Sequence, residues 1–155
     1  MYKRQIYDLA KQDGIDGYKA LSKSTCLSAD VSAAYDPTYA SAYEAKNSCY
    51  INEGVVISKY TGHGGKYDTS DASAEYMGKV RSLLEKNNVM WQVGELGKVD
   101  MGGGGTIAKY VANMNVDVVD LGVPVLCMHA PFEIVSKIDV YMAYRAFFAF
   151  FDDKI

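Results

Sequence analysis

Two side chains in this sequence suit a transition metal and stand where a fold would use them. Asp30 closes the run Cys26-Leu27-Ser28-Ala29, and His129 follows the apolar run 124–128 and precedes Pro131. Each falls at the carboxyl end of a candidate strand, the edge on which open α/β sheets gather their ligands. Carboxylate oxygen and imidazole nitrogen are both good zinc donors, but a catalytic zinc takes three protein donors plus a water. Two widely separated candidates do not define a metal from spacing alone, and a purely structural histidine explains the position equally well. The second histidine, His63, lies in the loop Thr61-Gly62-His63-Gly64-Gly65-Lys66 and reads as solvated.

A third feature is the stretch 97–106, in which four consecutive glycines, 102–105, run into Thr106. Backbone N–H groups at such a turn can cradle an anion. However, no Gly-Lys-Ser/Thr opens the following helix and the dinucleotide fingerprint spacing is absent, which counts against a nucleotide site. Consecutive glycines cost backbone entropy, a hint that something approaches the chain closely there.

The elements that must position these residues are short. Val55 to Tyr60, Val89 to Val93, Val116 to Leu121 and Val123 to Met128 are apolar, β-branched-rich runs bounded by Gly, Asn or Pro, as buried strands are, and Cys26 to Val31 is a fifth, weaker one. Asp71 to Lys86 places Ala74, Met77, Val80 and Leu84 on one helical face with Ser70 as N-cap, and Thr106 to Met114 reads as a shorter helix. A long helix opening at Pro131 would dock through Ile134, Ile138, Tyr141, Met142, Arg145 and Phe148. Strands alternating with helices predict an α/β fold, a three-layer α/β/α arrangement with a largely parallel sheet.

Composition narrows the function. With 155 residues, 49% apolar, the chain has the size of one globular domain, and 16 basic against 19 acidic residues form no block of either sign. Nucleic acid and a membrane surface are therefore not expected as partners. No stretch is long and apolar enough for a membrane span and the first residues lack a signal core, so the sequence reads as cytoplasmic. The three cysteines, Cys26, Cys49 and Cys127, form no Cys-x-x-Cys pair and read as reduced, packed thiols. Phe147, Phe148, Phe150 and Phe151 cover more than one face of the last helix, which implies a second copy or further chain over them.

Longer strings carry a resemblance. CLSADV at 26–31 with the Asp36-Pro37 turn, VVISKYTG at 55–62, SDASAEYMG at 70–78, GKVDMGGGGTIAKY at 97–110 and MHAPFEIVSKIDVYMAY at 128–144 occur in family order. Together they resemble the aminopeptidase I branch of the aminopeptidase I / aspartyl aminopeptidase family of dizinc metallopeptidases. The similarity runs from about Ile6 to Phe151 and corresponds to about the last third of a full-length member. It implies that residues 1–155 are the C-terminal portion of a zinc-exopeptidase-like catalytic domain, with the upstream catalytic half and the dimerisation domain outside them.

By that resemblance Asp30 matches the aspartate of the Ser-x-Asp motif and His129 the histidine of Met-His-Ala-Pro, each a ligand to a different zinc. The family's upstream histidine, bridging aspartate and glutamate pair match nothing here, so the resemblance implies a metallo-aminopeptidase fragment inactive by itself. Gly103, Gly104, Gly105 and Thr106 would border the substrate, and Lys59 and Tyr67 fall near positions that line the family's substrate pocket. Peptides with neutral or hydrophobic N-terminal residues would be the substrates, and a homo-oligomer or the missing upstream half the partner. The competing reading is a non-catalytic binding or assembly module that retains half of the peptidase fold.

Overall fold

A computed structural model describes residues 2–64, 66–98 and 100–153 of the chain, with the Tyr2 side chain excepted. In order, the elements are α1 (Tyr2–Gln12), α2 (Gly17–Ser22), β1 (Thr25–Ser28), β2 (Ser32–Ala33), a 3-10 turn (Pro37–Ala42), β3 (Val55–Ser58), α3 (Ala74–Lys86), β4 (Trp91–Val93), α4 (Ala108–Ala112), β5 (Asp117–Gly122), β6 (Pro124–Leu126), β7 (Ile134–Val135) and α5 (Lys137–Asp152).

The α/β class is as read, but a single largely parallel sheet is not what forms. Two small mixed sheets do: one ordered β1-β5-β3-β4, the other β2-β6-β7. β1 pairs with β5 and β3 with β4 in parallel, whereas β5 runs antiparallel to β3. β6 pairs in parallel with β2 and antiparallel with β7. The reason lies in the segment after Pro131. Instead of entering a helix there, the β-branched pair Ile134 and Val135 takes up the free edge of β6, and the helix begins only after Ser136, whose hydroxyl accepts the Ile138 N–H.

Alternation along β3 divides the core. Val55 and Ile57 point into the larger cluster with Val119, Leu121, Tyr76, Val80 and Leu84, while Val56 faces the other way onto Ala34 and Cys49. The first cluster is closed by α3 and α5. On α5 the docking face is Asp139, Ala143, Ala146 and Ala149, all buried; of the predicted stripe, Ile138, Tyr141 and Phe148 are exposed, whereas Met142 packs against the core and Arg145 donates to the Asn87 carbonyl. Small side chains let the helix lie close to the sheet, so the large ones are displaced to its flanks. Phe147 and Phe150 are partly buried at the edge of the core, but Phe148 and Phe151 stand 61% and 83% exposed.

Two helix starts also differ from the reading. α3 is capped by Ser73, whose hydroxyl accepts the Tyr76 N–H, and not by Ser70. Asp71 is held out of the helix because its carboxylate pairs with Lys59 and Lys66 and its backbone bridges to Tyr60. α4 starts at Ala108, since the Thr106 side chain is turned to Asp120. All three cysteines are free thiols. Cys49 is buried, its pKa pushed up to about 11 by that burial, whereas Cys127 is exposed and not packed as expected.

Candidate functional site

Asp30 sits in an interruption of one extended parallel ladder. β1 pairs with β5 from Thr25 opposite Asp117 to Ser28 opposite Asp120, and β2 pairs with β6 in the same register, Ser32 opposite Pro124. Between them the chain leaves the ladder: the Asp30 N–H turns back to the Ser28 carbonyl (3.0 Å), and pairing resumes when the Ser32 N–H reaches the Val123 carbonyl (3.0 Å). Gly122 faces the break, and a Cβ on it would lie 1.5 Å from the Asp30 carbonyl oxygen, so only glycine permits this approach. Asp30 Oδ1 accepts the Val31 N–H at 2.9 Å, which fixes the exposed carboxylate at the end of β1.

His129 follows β6 on a tight reversal. Cys127 (φ 58°) and His129 (φ 67°) are both left-handed, a conformation costing of order 1 kcal/mol each for residues with a side chain. The Ala130 N–H bonds the Cys127 carbonyl at 2.9 Å, and the His129 N–H donates to Glu133 Oε1. Such strain persists only where the surroundings enforce it, and here it holds an exposed imidazole at the mouth of a cleft. The donors thus come from strand ends of two different sheets and meet at the seam between them.

That cleft, of about 170 Å³, is lined by Asp30, His129, Gly104, Gly105 and Thr106, with Asp120 and Glu133 beside them. Gly103 lines a smaller pocket next to it, which shares Thr61 and Leu96 with the first. Gly103 has φ +115° and a Cβ there would stand 1.4 Å from the Gly62 carbonyl oxygen, so the glycine run rests directly on the 62–64 backbone. Lys59 and Tyr67 line neither cavity. Lys59 is engaged with Asp71, and Tyr67 is 75% exposed. His63 is exposed, as read.

Three acidic residues near the cleft escaped the sequence reading. Asp120, 5% exposed, accepts the Thr106 hydroxyl at 2.9 Å through Oδ2. Burial raises its pKa, opposed by the neighbouring Ser28 and Thr106 hydroxyls and reinforced by the Asp30 charge. Its signal was an aspartate inside the apolar run Val118-Val119-Asp120-Leu121. Glu133 was hidden in what reads as a helix. Glu95, in the smaller pocket, has its pKa pushed up to about 7 by burial, with Asp71 also raising it and Lys66 and Lys59 opposing.

A metal can be tested against these donors. Among the described residues, neither Asp30 Oδ2 nor the His129 ring makes a hydrogen bond or ion pair, so both are available as ligands. No three His, Cys, Asp or Glu side chains among the described residues are close enough to hold an ion. The donor types fit zinc, but as contributors to a shared site and not as a closed set.

Metal-type donors from strand ends beside a glycine-rich backbone turn make this a candidate metallohydrolase cleft on an α/β frame. Residues 3–151 match the family described as aminopeptidase I zinc metalloprotease (M18), and the chain belongs to that family. A probable M18 family aminopeptidase 1 from Borrelia garinii subsp. bavariensis is 50% identical over 135 residues, covering 87% of this chain and 30% of that protein. The crystal structure of aminopeptidase I from Clostridium acetobutylicum superposes with a TM-score of 0.90 at 45% identity, over 98% of this chain and 33% of that one. A more distant neighbour, mApe1 of S. cerevisiae, has a related fold (TM-score 0.68, 23% identity, 89% of this chain and 29% of that one) and is a dodecamer. The chain thus spans about a third of the length of the relatives it matches.

Proposed function

We propose that this chain forms the C-terminal part of a two-zinc aminopeptidase catalytic domain, a three-layer α/β/α unit when complete, that removes N-terminal residues from peptides. Asp30 would hold one zinc and His129 the other. The observation that carries this reading is that these two donors, 99 positions apart in the sequence, line one cleft together with Gly104, Gly105 and Thr106.

When bound, zinc would polarise the scissile carbonyl and lower the pKa of its water. The chain's own residues prepare the cleft for that chemistry. The ladder break presents the Asp30 carboxylate, the 127–130 reversal presents the His129 ring, and Glu133 restrains that reversal through the His129 N–H. Gly104 and Gly105 offer a backbone edge without side chains, flanked by Gly103 and by Thr106 with its hydroxyl turned to Asp120, on which an extended peptide could lie close to both donors. Lys59 and Tyr67, outside the cavities, would bear on the substrate only through a rearranged 59–67 loop.

One donor per ion leaves each metal short of its three ligands, and no general base is matched within the 155 residues. The chain alone should therefore bind zinc weakly and hydrolyse nothing. Addition of a polypeptide bearing the family's upstream histidine, bridging aspartate and glutamate pair should generate activity. Asp30→Ala and His129→Ala should each abolish that activity, and His63→Ala should leave it intact. Full activity of the reassembled enzyme with His129→Ala would overturn the assignment. A non-catalytic assembly role is the second reading, favoured by the exposed rings of Tyr141, Tyr144, Phe148 and Phe151 along α5, and it would gain if no reassembly restores hydrolysis.

A further inference from the structure

The two halves of the glycine run are held differently. Its first half lies on backbone: the Gly64 N–H bonds the Gly102 carbonyl at 3.1 Å, and Gly103 packs against Gly62. Its second half has almost nothing around it. A Cβ on Gly105 would meet no atom within 4 Å, and one on Gly104 only the tip of Leu96 at 3.3 Å. What closes this half is the next residue, Thr106, whose hydroxyl donates to Asp120 Oδ2 at 2.9 Å while accepting the Ala108 N–H at 3.3 Å.

Asp120 is an unusual choice for its place. Its neighbours Val118, Val119 and Leu121 fill the core with hydrocarbon, whereas a buried carboxylate is costly unless its bonds do something. It stands opposite Ser28 across the β1/β5 pair, and the same strand carries Gly122, on which the Asp30 carbonyl rests. The Ser28 hydroxyl lies near enough to act on the carboxyl, but among the described residues neither it nor Oδ1 makes a hydrogen bond of good geometry, which leaves the Thr106 hydroxyl as the hydrogen-bond donor to the Asp120 carboxylate.

We propose that Asp120 is a positioning residue that ties the glycine run to β5, the strand that pairs with β1 and bears on the Asp30 backbone through Gly122, so that both walls of the cleft are set from β5. For catalysis this rests on the peptidase reading above, since a loosened wall matters only if a peptide lies on it. The tether itself is independent of that reading.

Hydrogen–deuterium exchange on the purified chain, without metal or substrate, tests it. Thr106→Val removes the hydroxyl at nearly constant shape and should speed exchange of the Gly64 and Gly102 amides, which bond the Gly102 and Lys98 carbonyls, by roughly 10- to 100-fold, the factor for one hydrogen bond to a charged group, with β3 unaffected. The Ala108 amide, bonded to the deleted hydroxyl itself, is left out of the comparison. Thr106→Ser restores the donor and should restore the wild-type rate. Asp120→Ala should match Thr106→Val, and if it fails to fold the threonine pair still decides. Unchanged exchange in Thr106→Val, no rescue by serine, or acceleration spread evenly through β3 and β5 would each overturn the tether. In a reassembled active enzyme Thr106→Val should raise KM and leave kcat near wild type. An unchanged KM beside a loosened loop would overturn the positioning role, while failure to obtain any active assembly would count against the peptidase reading and leave the exchange result standing.

Discussion

Replacing Gly122 by alanine displaces Asp30 through its backbone and leaves its side chain chemically unchanged. The added Cβ would stand 1.5 Å from the Asp30 carbonyl oxygen and 2.5 Å from its carbon, where ordinary contact begins at 3.4 Å. The Asp30 backbone must retreat by about 2 Å, more than either flanking 3.0 Å bond, Asp30 N–H to Ser28 or Ser32 N–H to Val123, can absorb. Overpacking of this kind costs about 1–3 kcal/mol and a lost backbone bond about 1 kcal/mol more. For a domain of this size that amounts to a fall in Tm of about 5–15 °C. Thermal unfolding followed by circular dichroism reads the cost, and the carboxyl carbon resonance of Asp30 reports the displacement. A variant that melts with the wild type, its Asp30 resonance unmoved, would refute the claim that β5 sets the position of Asp30.

Other expectations concern the frame around the cleft. Asp139, fully buried, accepts the Gly54 and Asn52 N–H groups at 2.8 Å each, so Asp139→Ala should destabilise by about 3 kcal/mol or more, read from urea midpoints, and a loss below 1 kcal/mol would contradict that clamp. Glu95, whose folded pKa is raised to about 7, binds its proton more tightly folded than unfolded, so stability falls as pH rises from the ordinary carboxylate range through about 7. Glu95→Gln should therefore melt above the wild type at pH 8 and with it near pH 4, and an equal gap at both values would show that the carboxyl is not the cause. The rings of Phe148 and Phe151 lie open to solvent, and substituting both with serine should reduce self-association in sedimentation equilibrium, a wild type that is strictly monomeric being the contrary result.

What the sequence disclosed was whatever depends on local pattern. β3 and β5 are apolar runs too short for helices, and they fold as strands with ends moved by one or two residues. The placing of Asp30 and His129 just past strand ends was legible because a polar residue closing an apolar run marks where a strand leaves the core. Long-range pairing was not legible. That β1 and β2 share one register against β5 and β6, with Gly122 leaving room for the break, depends on contacts between segments about ninety residues apart. The Pro131 segment misled because helical spacing of Ile134 and Ile138 ignores the open edge of β6 that Ile134 fills. α1 and α2 carry few buried side chains, Ala10 and Leu21 among them, and were not anticipated although α1 is amphipathic and Asp16 caps α2. Asp120 was masked by the very run that buries it.

The most direct test of the proposed metal role is a zinc titration of the purified chain with its histidine rings labelled with nitrogen-15. Weak binding that shifts the His129 ring and leaves His63 silent is the predicted result, since one donor per ion cannot hold zinc tightly. Two zincs bound with nanomolar affinity, or a response at His63 with none at His129, would contradict it.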